Sequence, residues 1–354
     1  MSRVLPILRC LYRWEALKRL VINEPGLFLR TRRGIIIVER RGEKLLEVSP
    51  SNICQVAILT RGAALSSALL RLLARHKVDL VIYSGHGYPI AKLSSARSTG
   101  SIRLRKMQYK AQNEKVGAYL AKRFAWAKVV NQKAILREAG KNRKDPDLSG
   151  KLLDLSRAIS GIAGMIANVS GDSAENVRKE IMRLEAEAAE IYWQGFKMML
   201  PEGIEFPSRR KRFESPEDPV NIMLNFCYGL LASEVWLAVD SSGLDPYSGF
   251  LHADSPRRPA LVMDILEEFR QPVADRVVLR LISSLKDPQS TIEGRRLKRD
   301  ARLQVIKAFS ARLSETVTFC GRTLPLSSHI FLQPRRVSEF ILERAPDYIP
   351  FTLR

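Results

Sequence analysis

From Val78 to Gln112 the chain reads VDLVIYSGHGYPIAKLSSARSTGSIRLRKMQYKAQ, and its character changes inside that stretch. VDLVIYS is an apolar, β-branched run of strand length. SSARSTGSIRLR, Ser94 to Arg105, is small, polar and basic with no apolar period, and reads as a linker. Beyond it the apolar residues fall into helical spacing: in MQYKAQNEKVGAYLAKRFAWAKVVNQKAIL, Val116, Leu120, Phe124 and Val130 recur at near-helical steps between lysines and arginines. Before it, GLFLR, GIIIVER, KLLEVS and CQVAIL alternate or are β-branched, separated by RRG, RGE and SP. The exception upstream is SSALLRLLARHK, where Leu69, Leu72 and Leu73 predict a helix. The expected fold is therefore α+β: a β-strand-rich N-terminal domain over residues 1–93, a linker over 94–105 and an all-α domain over 106–354. Residues 1–25 stand outside this pattern as an extension with no assigned role.

The 354 residues suffice for two domains of about 100–200 residues or more each. Lysine and arginine number 58 against 37 acids, a net charge of +21, which points to a polyanionic partner such as nucleic acid or, more plainly, to a basic ribosomal or scaffold protein. Cys10, Cys54, Cys227 and Cys320 form no CxxC pair, so neither a zinc knuckle nor a disulfide framework is expected, and a reducing cytoplasm is the default. The apolar N-terminus is interrupted by Arg9, Arg13, Glu15, Lys18 and Arg19, unlike a signal peptide. MLNFCYGLLASEVWLAV, Met223 to Val239, carries Asn225 and Glu234 and falls short of a span of about 20 residues. It reads as a helix buried in the helical domain, and no membrane is expected.

The chemistry gathers in GLDPYSGFLHADSPRRPALVMDILEEFR, Gly243 to Arg270. GLDPYSG is a turn-rich connection that delivers His252 at the end of a loop. In ALVMDILEEFR, Leu261, Ile265 and Phe269 make a stripe, with Asp264 and Glu267 three apart on a neighbouring face and Glu268 four from Asp264. Carboxylates beside an apolar stripe are costly to desolvate unless a cation neutralises them. Two acids, one imidazole and a distant third carboxylate would suit Mg²⁺ or Mn²⁺ better than structural zinc. Glu185 is the best distant candidate. It edges the stripe Val177, Ile181, Leu184, Ala188 and Ile191 of a helix opened by DSAE, where Asp172 is the expected cap and Glu175 reaches back, while Glu187 and Glu190 sit opposite. On periodicity alone the plainer reading is a solvated acidic face with His252 a capped loop histidine. His76, as a core residue, together with His86 and His329, has no acidic cluster in reach and is taken as structural. The run SRRKRF, Ser208 to Phe213, is either a solvated loop or a phosphate contact.

At this level the chain resembles the CRISPR-associated integrase of the spacer-acquisition module, the "Cas-one" endonuclease family. The pieces that carry the likeness are SSALLRLLARHKVDLVIYSGHGYPIAKL, IRLRKMQYKAQ, RLEAEAAEIYW, SPEDPVNIMLNFCYGLL, GLDPYSGFLH and LVMDILEEFRQPVADR, in that order across almost the whole chain. The resemblance places metal-binding positions on Glu185, His252 and Glu267, and an additional acidic catalytic position on Asp264. Ala186 stands where a glycine commonly follows the first glutamate, and Glu268 where a proline often follows the second acid. The resemblance implies Mg²⁺ or Mn²⁺ as cofactor and a homodimer through the strand-rich halves. It also implies a small "Cas-two" bridging partner and double-stranded and branched DNA as substrates. The implied chemistry is attack of a fragment's 3′-hydroxyl on a phosphodiester of the CRISPR repeat, with hydrolysis when water takes the hydroxyl's place. DNA contacts are expected from Arg97, Arg103, Arg105, Arg209, Arg210, Lys211 and Arg212. The same metal residues would serve a mobile-element integrase or a branched-DNA repair nuclease, and a third reading is a non-catalytic nucleic-acid-binding assembly subunit.

Overall fold

The computed structural model describes residues 11–12, 19–53, 55–83, 89–93, 102–256 and 258–353. The chain divides into two compact units, Met1–Ser98 and Thr99–Arg354. Cys10, Cys54, His86 and Arg97 lie outside the described residues.

In the first unit the strands are β1 (Leu11–Tyr12), β2 (Arg19–Ile22), β3 (Phe28–Arg32), β4 (Ile35–Arg40), β5 (Glu43–Val48), β6 (Gln55–Ile58), β7 (Ala64–Leu65), β8 (Asp79–Tyr83) and β9 (Pro89–Leu93), with helix α1 (Ser67–Arg75) between β7 and β8. They form a five-stranded sheet in the order β1-β2-β6-β8-β9 and a four-stranded sheet in the order β5-β4-β3-β7. The N-terminal extension is not wholly outside the fold: Leu20, Val21 and Ile22 of β2 pair in parallel with Val56, Ala57 and Ile58 of β6. The LVI triplet was too short, between polar neighbours, to announce itself as a strand. Because β6 and β8 are parallel, the chain between them must cross over, and α1 lies on that crossover. Leu69 and Leu73 of α1 share one core with Leu29 and Ile36 from one sheet and Val56 and Leu80 from the other. His76 caps the end of α1 and is exposed, so it is a surface residue rather than a core one.

In the second unit come α2 (Ile102–Gln112), α3 (Lys115–Asn142), α4 (Pro146–Asn168), α5 (Ala174–Met199), α6 (Pro219–Ser242), α7 (Ala260–Leu266), α8 (Arg276–Ser284), α9 (Arg299–Ser314) and α10 (Leu326–Ile341). Short hairpins follow α8 and α9, over Ile292–Leu297 and Thr316–Pro325. Helix α2 begins at Ile102, so the last four residues of the expected linker are already helical. α3, α4 and α5 pack together. The segment NRKDPDLSG stops α3 and also starts α4, since Asp145 accepts from the backbone N–H groups of Asp147 and Leu148 and Pro146 occupies the first turn. The cap of α5 is Ser173, accepting from Asn176, rather than Asp172. That shift puts Glu175 one position too early to close a capping box. α6 is long and apolar enough for a membrane span by composition, yet 89% of its most apolar window is buried inside the unit.

Candidate active site

Each residue of the site is set by a different element. Glu185 sits half-buried on α5, whose inward stripe runs through Val177, Ile181, Leu184 and Ala188 and continues as Tyr192, Phe196 and Met199, while Glu187 and Glu190 are exposed on its outer side. α7 ends at Leu266, so Glu267 falls in the turn after it, before a π-helical turn over Arg270–Asp275. The acids after the loop form no solvated face. Asp264, Glu267 and Glu268 are 0%, 1% and 0% exposed.

His252 lies at the end of the loop that follows α6, and four elements grip that loop. Gly243 closes α6 in the left-handed conformation at φ 83°. From α2, Gln108 donates to the carbonyls of Asp245 and Ser248 and accepts from Asp245 N, and Gln112 donates to Gly249 O and to Asp254. From α5, Arg178 donates to the carbonyls of Phe250 and Leu251. From α7, Asp264 accepts from the backbone N–H groups of Phe250 and Leu251 through one oxygen, at 2.6 and 3.0 Å, and from His252 N through the other, at 2.8 Å. The loop passes so close to α7 that a Cβ on Gly249 would stand 2.6 Å from that of Ala260 and 3.0 Å from Asp264 Oδ2. Only glycine fits there.

Asp264 Oδ1 also takes the imidazole Nδ1 of His252 at 2.7 Å. With Nδ1–H donating to the carboxylate, the neutral ring keeps its lone pair on Nε2, the arrangement of a metal-ligating histidine held by a carboxylate. Asp264 therefore positions His252 and has no free oxygen of its own to offer.

Glu185 and Glu267 converge on a residue that the spacing analysis passed over. The ammonium of Lys128, on α3, forms ion pairs with Glu185 Oε1 and, at 2.9 Å, with Glu267 Oε2. Arg270 Nη2 lies 2.9 Å from the other oxygen of Glu267. Burial opposes ionisation of Glu267, but the charges of Arg270, Lys128 and His252 outweigh it and hold the carboxyl well below its ordinary range. Burial would likewise lower Lys128, and Glu185 and Glu267 together raise it. Glu267 and Lys128 are therefore both charged at neutral pH. Among the described residues no three His, Cys, Asp or Glu side chains already surround one point as metal ligands, and the position between the two glutamates is taken by the lysine.

The donor set nevertheless fits a hard divalent cation. Two carboxylates from separate elements already share one cationic centre, and the buried Oε2 of Glu267 accepts no aligned hydrogen bond. The imidazole of His252 lies within electrostatic reach of Glu267, and its neutral form offers the Nε2 lone pair.

Behind the site, Glu268 accepts from Tyr348 Oη, from Gln333 Nε2 at 2.6 Å and from Phe351 N at 2.6 Å. Asn131 of α3 donates to the carbonyls of Glu268 and Phe351 and accepts from Leu353 N. Where the resemblance led to a proline, this chain has an acid that ties its C-terminal segment to the residue beside Glu267. His329 is buried, bonded through Nε2 to Val317 O and packed on Phe319 and Phe351.

The basic run divides in two. Arg209 is embedded, with its guanidinium bonded to Asn221 Oδ1 at 2.9 Å and Asn225 Oδ1 at 2.7 Å and lying over the rings of Trp193 and Tyr228. Lys211 is exposed, Arg210 lies one step before it, and Arg212 opens the short 3₁₀ turn Arg212–Glu214. Arg103 and Arg105 are exposed on α2, Arg105 with one bond to Gly243 O.

The family described as CRISPR associated protein Cas1 matches residues 20–311. A CRISPR-associated endonuclease Cas1 of Archaeoglobus fulgidus is 37% identical over 333 residues, covering 91% of this chain and 96% of its own. One from Korarchaeum cryptofilum is 34% identical over 342 residues, covering 94% and 98%. Among solved structures, a casposase bound to integration product has a TM-score of 0.75 at 24% identity, covering 95% of this chain and 94% of its own. A Cas1 protein of Thermotoga maritima scores 0.73 at 18% identity, covering 95% and 100%. A Cas6-RT-Cas1–Cas2 complex chain scores 0.77 at 19% identity over 36% of its length. These structures share the fold. With a family match over most of its length and relatives about a third identical from end to end, the chain belongs to the CRISPR-associated Cas1 family.

Proposed function

We propose that this protein is a divalent-metal-dependent DNA integrase and endonuclease that joins the 3′-hydroxyl of a captured fragment to a phosphodiester of a CRISPR repeat. The observation that carries the reading is the meeting of Glu185 and Glu267 on one buried cationic centre, with His252 beside them. Glu185, Glu267 and Nε2 of His252 would hold Mg²⁺ or Mn²⁺. Such a cation, when bound, supplies Lewis-acid stabilisation of charge on the scissile phosphate and lowers the pKa of an attacking hydroxyl or water. Asp264 keeps His252 in the ligating tautomer, and Gln108, Gln112 and Arg178 keep its loop against α7. The basic surface retains the DNA. The names of the relatives, CRISPR-associated endonucleases at 37% and 34% identity, favour work in a CRISPR locus over the mobile-element reading, for which the casposase likeness offers the fold alone.

A Cas2-type bridging partner and a homodimer belong to the same reading. The first unit exposes Phe28, Ile35, Ile82, Ile90 and Leu93 on its strands, apolar surface that a second copy would cover. Light scattering at micromolar concentration should give a dimer, and a monomer would exclude that arrangement.

The deciding experiment follows a labelled fragment into supercoiled repeat DNA, with and without the bridging partner. Joining and cleavage should require Mg²⁺ or Mn²⁺, stop in EDTA, and be abolished in Glu185→Ala, His252→Ala and Glu267→Ala. Undiminished activity in EDTA would overturn the metal-dependent mechanism.

A further inference from the structure

The inward face of α3 carries Leu120, Phe124, Lys128, Asn131 and Ile135 at steps of four, four, three and four, all buried. A lysine in the middle of that stripe needs a cause, because an uncompensated buried ammonium is strongly destabilising. The compensation is the pair Glu185 and Glu267. Without Lys128 these two carboxylates, on α5 and after α7, would face each other with Arg270 and His252 acting on Glu267 and no other ion pair at Glu185 among the described residues. Like charges meeting in a buried site drive the elements apart or take up protons.

The ammonium touches one oxygen of each glutamate. A divalent cation held by Glu185 and Glu267 would compete with Nζ for the space between these carboxylates. Two positive centres in that space repel, all the more with little water to screen them.

We propose that Lys128 is a built-in counter-ion: it holds Glu185 and Glu267 together while no metal is bound, and a divalent cation must displace it. This rests on the metal reading above. It assigns α3 a part in the site. The lysine preserves the arrangement of α3, α5 and α7 through the metal-free state, and it weakens metal binding, since part of the metal's attraction is spent on breaking the two ion pairs. A lysine that served only to build the site would act in the opposite sense, and its loss would weaken metal binding.

The test is a Mn²⁺ titration, followed by the electron paramagnetic resonance of free Mn²⁺, on the full-length wild type and on Lys128→Met, which keeps the apolar stem and loses the charge. Lys128→Met should bind Mn²⁺ roughly tenfold more tightly or better, in the range usual for coupling between two ligands. Lys128→Arg, still charged, should bind no more tightly than the wild type. Thermal unfolding supplies the second readout: Lys128→Met should melt below the wild type in EDTA and recover most of the difference in Mn²⁺. If Lys128→Met folds only with Mn²⁺ present, the counter-ion role is upheld. If it folds in neither condition, Lys128→Gln takes its place with the same expectations. Equal or weaker Mn²⁺ binding in the folded neutral variant overturns the inference and leaves the metal reading standing. Failure of both wild type and variant to bind Mn²⁺ removes the metal reading itself.

Discussion

Asp264 shows how much one buried side chain can organise. Its two oxygens take three consecutive backbone N–H groups and one imidazole, so its removal leaves four donors of the His252 loop facing nothing. Each unsatisfied buried donor costs about 1–3 kcal/mol. With four donors stranded, Asp264→Ala should lose about 4 kcal/mol or more in urea unfolding. Asp264→Asn should do little better, because its amide nitrogen would meet N–H groups where an oxygen is needed. Glu185→Gln, which removes one of the two charges that compensate the buried Lys128, should lose less, because Glu267 still pairs with the ammonium. An Asp264→Asn variant as stable as the wild type would refute the positioning role. His252 and the acids after it stand out in the sequence as a turn-rich loop ending in histidine beside closely spaced carboxylates, but spacing alone favours a solvated face, and it is the family resemblance that joins them to Glu185 as a site. Lys128 was not legible, since in so basic a chain one lysine among many attracts no notice. Its signal was positional: it falls four residues after Phe124 on the buried face that also carries Leu120 and Ile135.

At the level of elements, the helical periods of α1, α3 and α5 could be read from their leucine, isoleucine and valine spacing, because one face of each meets a core. α7 and its continuation could not. The spacing of Leu261, Ile265 and Phe269 predicts a helix continuing through Arg270, whereas the helix stops at Leu266 and gives way to the π-helical turn. Period analysis assumes one polar face, and from Ala260 to Phe269 all but Met263 are buried, leaving no polar face to register. The π-helical turn carries Arg270 at one end, against Glu267 and over the Tyr228 ring, and Asp275 at the other, bonded to Tyr192 and Tyr228. It thus joins α5, α6 and the site, in keeping with the tendency of π-turns to mark functional positions. Burial pushes the Asp275 carboxyl up from 3.8 to about 6, against the two tyrosine bonds and the charges of Arg270 and Arg209. An acid raised in the fold keeps its proton where the unfolded chain has lost it. The associated stability is complete below pH 3.8 and disappears as pH rises through 6, about 3 kcal/mol over the whole window. Asp275→Asn has no such proton. Measured by urea unfolding between pH 4 and 7, its stability relative to the wild type should improve with pH by about that amount. A constant difference would mean that Asp275 titrates normally.

For the whole molecule, the net charge of +21 is what would hold DNA in the proposed function. The sequence run SRRKRF suggested four equivalent contacts, but sequence order does not say which arginines the fold consumes. Arg209 is engaged by Asn221, Asn225, Trp193 and Tyr228, and so stabilises the loop between α5 and α6. Arg210 and Lys211 reach solvent, close in sequence to Phe213, which is 80% exposed. The two groups should separate in experiment. Arg209→Ala should lower the melting temperature and disturb binding only as a consequence. The triple change of Arg210, Lys211 and Arg212 to alanine should leave melting nearly unchanged and weaken binding to unrelated duplex sequences alike. It should flatten the dependence of log affinity on log salt by about 0.9 for every phosphate that is no longer neutralised. His252→Ala, which removes a proposed metal ligand and no surface charge, should leave that slope as it was. A triple variant with the wild-type slope would place the DNA path on another basic face, and Arg103 and Arg105 on α2 would be the next pair to test by the same measurement.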